Sequence, residues 1–237
     1  MELILGSQSP RRRELLGQMG LRFQVLTAEI DETKFETADP ESSVRRICAA
    51  KAQAVARKIS ETPCHLPAAA CGLILTADTI VVLDRKIMGK PHDEAEARAM
   101  LTALSGREHQ VYTAFTILPY KAFPQGERRP GARSEASPFG YTGADEGSAP
   151  QEVGSEDKGP FTHCEMTWVK FRDLSPAEIG AYVATGEPMD KAGAYGIQGR
   201  GAMLVEAIRG DYFTVMGLPI CQVAQALKRF GIDPLAP

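Results

Sequence analysis

Leu73-Ile74-Leu75-Thr76-Ala77-Asp78-Thr79-Ile80-Val81-Val82 is an apolar run rich in branched residues. It reads as a β-strand buried within a sheet. A turn at Asp84-Arg85-Lys86 leads into Ile87-Met88, so this strand acquires an antiparallel neighbour. One residue is out of character. A carboxylate at Asp78 costs free energy in such a strand unless it is hydrogen-bonded, paired or coordinated to a metal. Either Asp78 stands at an edge facing water, or it is a general base or metal ligand.

Toward the N-terminus, Glu2–Leu5 reads as a short strand and Gly6-Ser7-Gln8-Ser9 as a turn. Ser9 suits a helix N-cap and Pro10 the first helical position. Leu15, Leu16 and Met19 form the apolar stripe of the helix, which Gly20 ends. Residues 23–26 read as a second strand, followed by the acidic turn Glu29-Ile30-Asp31-Glu32. Pro40 opens a helix to about residue 59. Toward the C-terminus, Asp93 caps a helix carrying Ala97, Leu101 and Leu104, and residues 111–118 are a strand.

From Pro119 to His163 there are six prolines and seven glycines, and Val153 is the one Val, Ile, Leu or Met. That mix buries too little apolar surface to offset ordering entropy. Residues 119–163 therefore read as a largely disordered insertion within one domain spanning 1–237. Pattern resumes with a strand at 166–171, a capping box at Ser175-Pro176-Ala177-Glu178 and its helix, and a glycine-rich stretch from 192 to 202. Strands are expected at 203–208 and 212–215, and a last helix from Pro219. Alternating helices and strands with an antiparallel central hairpin predict an α/β fold with a mixed sheet.

The chain has 237 residues, a net charge of −3 and a pI near 5.9, which advertises neither a nucleic-acid polymer nor a membrane as partner. No apolar run approaches the ~18 residues of a membrane span, and the N-terminus lacks the basic and apolar regions of a signal peptide. A cytoplasmic protein is expected. Five cysteines without a C-x-x-C pair suggest reduced thiols, with neither disulfides nor a zinc site.

Local physics leaves several residues unexplained. Arg11, Arg12 and Arg13 stand at a helix start, where cations are disfavoured by ~0.3–1 kcal/mol each. A polyphosphate would offset that cost, and the small residues Gly6, Ser7 and Ser9 would admit it, although no Walker loop is present. Solvated arginines paired with nearby acids are the plainer alternative. Lys51 shares a helical stripe with Val44, Ile47, Cys48 and Val55, so it must snorkel, pair or touch a ligand. Glu32 offers a hard oxygen donor, and Lys90 and Lys191 stand beside turns. Gln198 carries both a donor and an acceptor, which suits a pyrimidine edge.

In combination and order, these segments resemble the Maf family of nucleotide pyrophosphatases. The resemblance is carried by residues 3–12, Asp31-Glu32, Ala77-Asp78-Thr79, Gly89-Lys90-Pro91, Leu104-Ser105-Gly106-Arg107, residues 186–199 and Gly217-Leu218-Pro219. It implies an elongated mixed sheet with a cleft between two lobes, similar to inosine triphosphate pyrophosphatases. It implies hydrolysis between the α and β phosphates with Mg²⁺ or Mn²⁺, with Asp78 as proton acceptor. Ser7, Ser9, Arg12 and Lys51, with Lys90 and Lys191 beside them, take substrate-binding positions, and Glu32 joins Asp78 at the metal. Arg11, Thr79 and Gln198 match the subgroup acting on dTTP and UTP. Homodimers are common in that family. Gly6 replaces a usual alanine, which reads as a minor change. The rival expectations are a nucleotide-binding regulator of cell division and a pyrophosphatase for 7-methyl-GTP or CTP.

Overall fold

A computed structural model describes residues 1–61, 71–121 and 158–236. Seven strands form one mixed sheet: β1 (Glu2–Leu5), β2 (Gln24–Val25), β3 (Cys71–Leu83), β4 (Lys86–Met88), β5 (Glu108–Lys121), β6 (Phe161–Phe171) and β7 (Val205–Arg209). Their order is β2-β1-β3-β5-β6-β7, with β4 also paired to β3. β1 runs parallel to β2 and β3, and the remaining pairs are antiparallel. The helices are α1 (Pro10–Gln18), α2 (Pro40–Glu61), α3 (Glu94–Leu104), α4 (Pro176–Val183), α5 (Tyr212–Met216) and α6 (Ile220–Arg229), so the α/β class and mixed sheet are as expected.

β3 organises the molecule. One edge pairs with β5 continuously from Cys71 to Val82. On the other edge β1 pairs with Gly72–Leu75 and β4 with Val81–Leu83. Between them residues 76–80 have no strand partner on that side among the described residues. Asp78 is therefore central in the sheet and only 8% exposed, yet it borders a gap.

Alternation along β3 sends its two residue sets to opposite faces. Ile74, Ile80 and Val82 pack toward α2, with Val44, Cys48, Ala52 and Val55. On the opposite face Leu73, Leu75 and Ala77 join α1 and α6 in one apolar cluster, while Val81 and Leu83 join α3 and α4 in another. Between those two clusters lies a polar seam that includes Thr79 and Thr113, paired across β3 and β5.

Four expectations need correction. β5 continues through Pro119 and Tyr120, and β6 begins at Phe161, so both flanks of the expected 119–163 insertion are strand. Tyr120 is 8% exposed, packed on the α2 face. Aromatic residues supply the strand character that counting aliphatic residues overlooks. Residues 122–157 of that insertion lie outside the described residues. Residues 212–215 form helix α5, not a strand, because Asp211 caps it and Gly217 (φ 108°) closes it. The strand expected at 203–208 is β7, beginning at Val205, and residues 199–204 make 3-10 turns. The Gly6 replacement is not minor, since a Cβ there would lie 2.6 Å from Thr76 Cγ2 and 3.2 Å from Val55 Cγ2.

Candidate active site

The gap beside β3 opens into a cavity of about 1030 Å³. Its lining includes every expected site residue: Ser7, Ser9, Arg11, Arg12, Glu32, Lys51, Asp78, Thr79, Lys90, Lys191 and Gln198. They arrive from the turns after β1 and β4, from the 3-10 turn Glu32–Phe35, from α1, α2 and β3, and from the 190–198 loop.

At the floor, Lys51 reaches from α2 to Asp78 on the facing side of β3. Lys51 Nζ donates to Asp78 Oδ1 at 2.6 Å and lies 2.7 Å from Glu32 Oε1. Lys51 therefore pairs and does not snorkel. Burial by itself would lower the Lys51 pKa, but Asp78 first and then Glu32 outweigh it and hold the value above normal. Asp78 is satisfied as a buried carboxylate must be, and the edge-facing-solvent alternative falls.

Of the three helix-start arginines, Arg12 turns inward. Its Nε donates to the Gly217 carbonyl (2.7 Å), Nη1 to Ser7 Oγ (3.0 Å) and Nη2 to Thr79 Oγ1 (3.0 Å). Burial pulls its pKa down, opposed chiefly by Asp78. Arg11 lines the cavity, whereas Arg13 is exposed. Ser9 holds the N-cap position without a side-chain cap bond, and its N–H donates to Ser7 Oγ at 3.3 Å. The start of α1 is thus tied together through Ser7. Arg11 and Lys90 make no ion pair among the described residues, while Lys191 pairs with Asp190 at 2.7 Å.

The far wall is the 190–198 loop. Tyr182 Oη donates to Glu187 Oε1 (3.1 Å) and accepts from Gly196 N (3.3 Å), and Glu187 also accepts from the N–H groups of Arg200 and Gly201. Tyr195 is anchored by His109, with Oη to Nε2 at 2.7 Å. This scaffold presents Gln198 to the cavity, and the Gln198 amide makes no hydrogen bond among the described residues. The roles of Thr113, Glu187 and His109 were not foreseen. Thr113 and His109 act across long sequence separations, and Glu187, although it lies in the 186–199 stretch, carries no sign of the hydrogen bonds it accepts.

The donor set bears on a metal. Glu32 and Asp78 offer hard carboxylate oxygens that converge on one point, where Lys51 Nζ stands. No cluster of three or more His, Cys, Asp or Glu able to hold a metal occurs among the described residues. Two carboxylates fit a magnesium-type ion that takes its other ligands from phosphate and water, and do not fit zinc. Cys48, Cys71, Cys164 and Cys221 are free thiols, and Cys64 lies outside the described residues.

Fold and site together define an α/β protein with a cation-rimmed cleft built around one buried acid. Its residues 2–137 and 147–230 match the Maf-like protein family, and the chain belongs to that family. It is 41% identical to a dTTP/UTP pyrophosphatase of Moorella thermoacetica, over 98% of this chain and 96% of that one. It is 42% identical to proteins of the same name from Geobacillus sp. (97% and 98% covered) and Syntrophomonas wolfei (98% and 98%). A solved structure, the Staphylococcus aureus Ham1 protein, aligns over 98% of this chain and 100% of its own with a TM-score of 0.41 and 10% identity, a likeness too slight to bear on fold or function. Among the described residues no helix is long and apolar enough to cross a membrane.

Proposed function

We propose that the protein hydrolyses nucleoside triphosphates, preferentially dTTP and UTP, to the monophosphate and pyrophosphate. The observation that carries this reading is Asp78, held by Lys51 at the floor of a cleft rimmed with cations. Its support from outside is the shared name of relatives 38–42% identical over nearly the whole chain. Simple nucleotide binding would not need a buried acid beside the phosphates.

Water attacks the α-phosphorus, the bond to the bridging α–β oxygen breaks, and pyrophosphate leaves. Asp78 takes the proton that the water loses. Arg12, Arg11, Lys90 and Lys191 hold the phosphates, with Ser7 and Ser9 at the helix start. A triphosphate offers Lys51 a denser negative charge than Asp78 does, so its arrival frees the carboxylate to act as base. Glu32 and Asp78 would hold Mg²⁺ or Mn²⁺, which supplies neutralisation of the charge developing on phosphate. Gln198 and Arg11 set base preference. The setting is the cytoplasm, and a homodimer is the expected assembly.

A panel of nucleoside triphosphates with Mg²⁺ or Mn²⁺, scored for pyrophosphate release, tests the reading. dTTP and UTP should lead, Asp78→Asn should cost at least about 100-fold, and Gln198→Ala should flatten the dTTP-to-CTP ratio. Activity of Asp78→Asn within a few-fold of the parent would refute the assigned base.

A further inference from the structure

Thr113 lies in the seam between the two apolar clusters and is not among the residues that line the cleft. Thr113 is fully buried, and its hydroxyl lies 2.7 Å from the Thr214 carbonyl oxygen. A carbonyl only accepts, so the single hydroxyl proton of Thr113 is committed there. The Thr79 hydroxyl stands 2.9 Å from that of Thr113, and either could donate on distance alone. With the Thr113 proton already used, the donor must be Thr79. Thr79 in turn accepts from Arg12 Nη2 at 3.0 Å.

Two consequences follow. Thr79 has no proton left for the cleft, so it cannot donate to a carbonyl on a pyrimidine base. Its lone pair is instead directed to Arg12. The guanidinium is held by three acceptors on three different nitrogens, Gly217 O, Ser7 Oγ and Thr79 Oγ1. One N–H on each terminal nitrogen remains for a ligand. The space is matched as well, since a Cβ at Gly217 would sit 3.3 Å from Thr79 Oγ1 and 3.5 Å from Arg12 Nε.

We propose that Thr113 is a positioning residue for the phosphate site: by taking the Thr79 proton inward it makes Thr79 an acceptor that sets the Arg12 guanidinium, so Thr79 acts on the phosphates through Arg12 and does not touch the base. This rests on reading the cleft as a triphosphate site. The test therefore measures binding of inorganic triphosphate by calorimetry, which needs no cleavage and no base. Thr113→Val keeps the shape and removes the hydroxyl. It should weaken triphosphate binding about tenfold, with Thr113→Ser restoring it to within about twofold. Thr79→Val should show the same loss, and the double variant should be no worse than either single one, because both interrupt one chain. With dTTP the loss should fall on KM, with kcat nearly unchanged.

A merely structural role would lower the melting temperature and leave triphosphate affinity alone, and that result overturns the proposal. So do additive losses in the double variant, or a parent protein that does not bind inorganic triphosphate. If Thr113→Val does not fold, Thr79→Val and Thr113→Ser decide the matter. A parent that binds triphosphate but releases no pyrophosphate refutes the hydrolase reading and leaves this one standing.

Discussion

Lys51 stands between two carboxylates with only 19% of its side chain exposed, and Asp78 has 12%. Such a pair is satisfied when complete and costly when halved. Lys51→Met removes the ammonium and leaves Asp78 as a partly buried charge facing Glu32. It should destabilise the protein by about 2 kcal/mol, read as a lower urea midpoint. Adding Asp78→Asn removes the stranded charge, so the double variant should recover most of that loss. If the two changes add instead, the pair is not coupled and the geometry is misread. In the sequence, a lysine in an apolar helical stripe must snorkel, pair or touch a ligand, and an aspartate in an apolar strand must face water or be satisfied; the fold resolves both by pairing them with one another. Glu32 is named in the sequence only as a hard oxygen donor in an acidic turn, and its pairing with Lys51 appears once the chain brings that turn over the lysine.

At the scale of the element, α5 shows how a strong local preference is overridden. Tyr212-Phe213-Thr214-Val215 is β-prone by composition, and it is one turn of helix. The deciding residues flank it. Asp211 accepts from Thr214 N at 2.7 Å and from Thr214 Oγ1 at 2.8 Å, and Gly217 takes the left-handed conformation that ends the turn. The turn serves the site, because its end presents the Thr214 and Gly217 carbonyls to Thr113 and Arg12. Asp211→Ala should therefore cost about 1–2 kcal/mol of stability and also raise KM for dTTP, since it loosens the frame behind Arg12. A stability loss with unchanged KM would mean that α5 is held by its packing alone. The capping box of α4 was visible in sequence because its partner residues sit three apart, at Ser175 and Glu178. Asp211 offers only an N-cap residue, with Thr214 in place of the Glu of a capping box, and the apolar aromatic run that follows hides it.

For the whole molecule, the decisive feature is an interruption. β1 and β4 share one edge of β3 and leave residues 76–80 without a strand partner there among the described residues, which places the buried acid at a cleft. The buried strand, its hairpin and the helices around it were legible from apolar periodicity. The register of β3 on β5 was not, because α3 intervenes and nothing local pairs Thr79 with Thr113 or brings His109 to Tyr195. His109 offers a global test. It is 1% exposed, its Nε2 meets Tyr195 Oη, and its Nδ1 has no hydrogen-bond partner among the described residues. Burial lowers its pKa from 6.5 to about 4. The unfolded chain therefore takes up this proton at a higher pH than the folded one does. The stability held by neutral His109 is complete above about pH 6.5 and is lost as pH falls toward 4. By about pH 5 the loss from this group alone is on the order of 2 kcal/mol. His109→Gln keeps a polar partner for Tyr195 and removes the titration. Its stability relative to the parent, measured by urea unfolding, should improve by that amount between about pH 7 and pH 5. Parallel curves for parent and variant would show that His109 takes up its proton in the folded state without penalty, and that the aromatic wall behind the 190–198 loop is open to water.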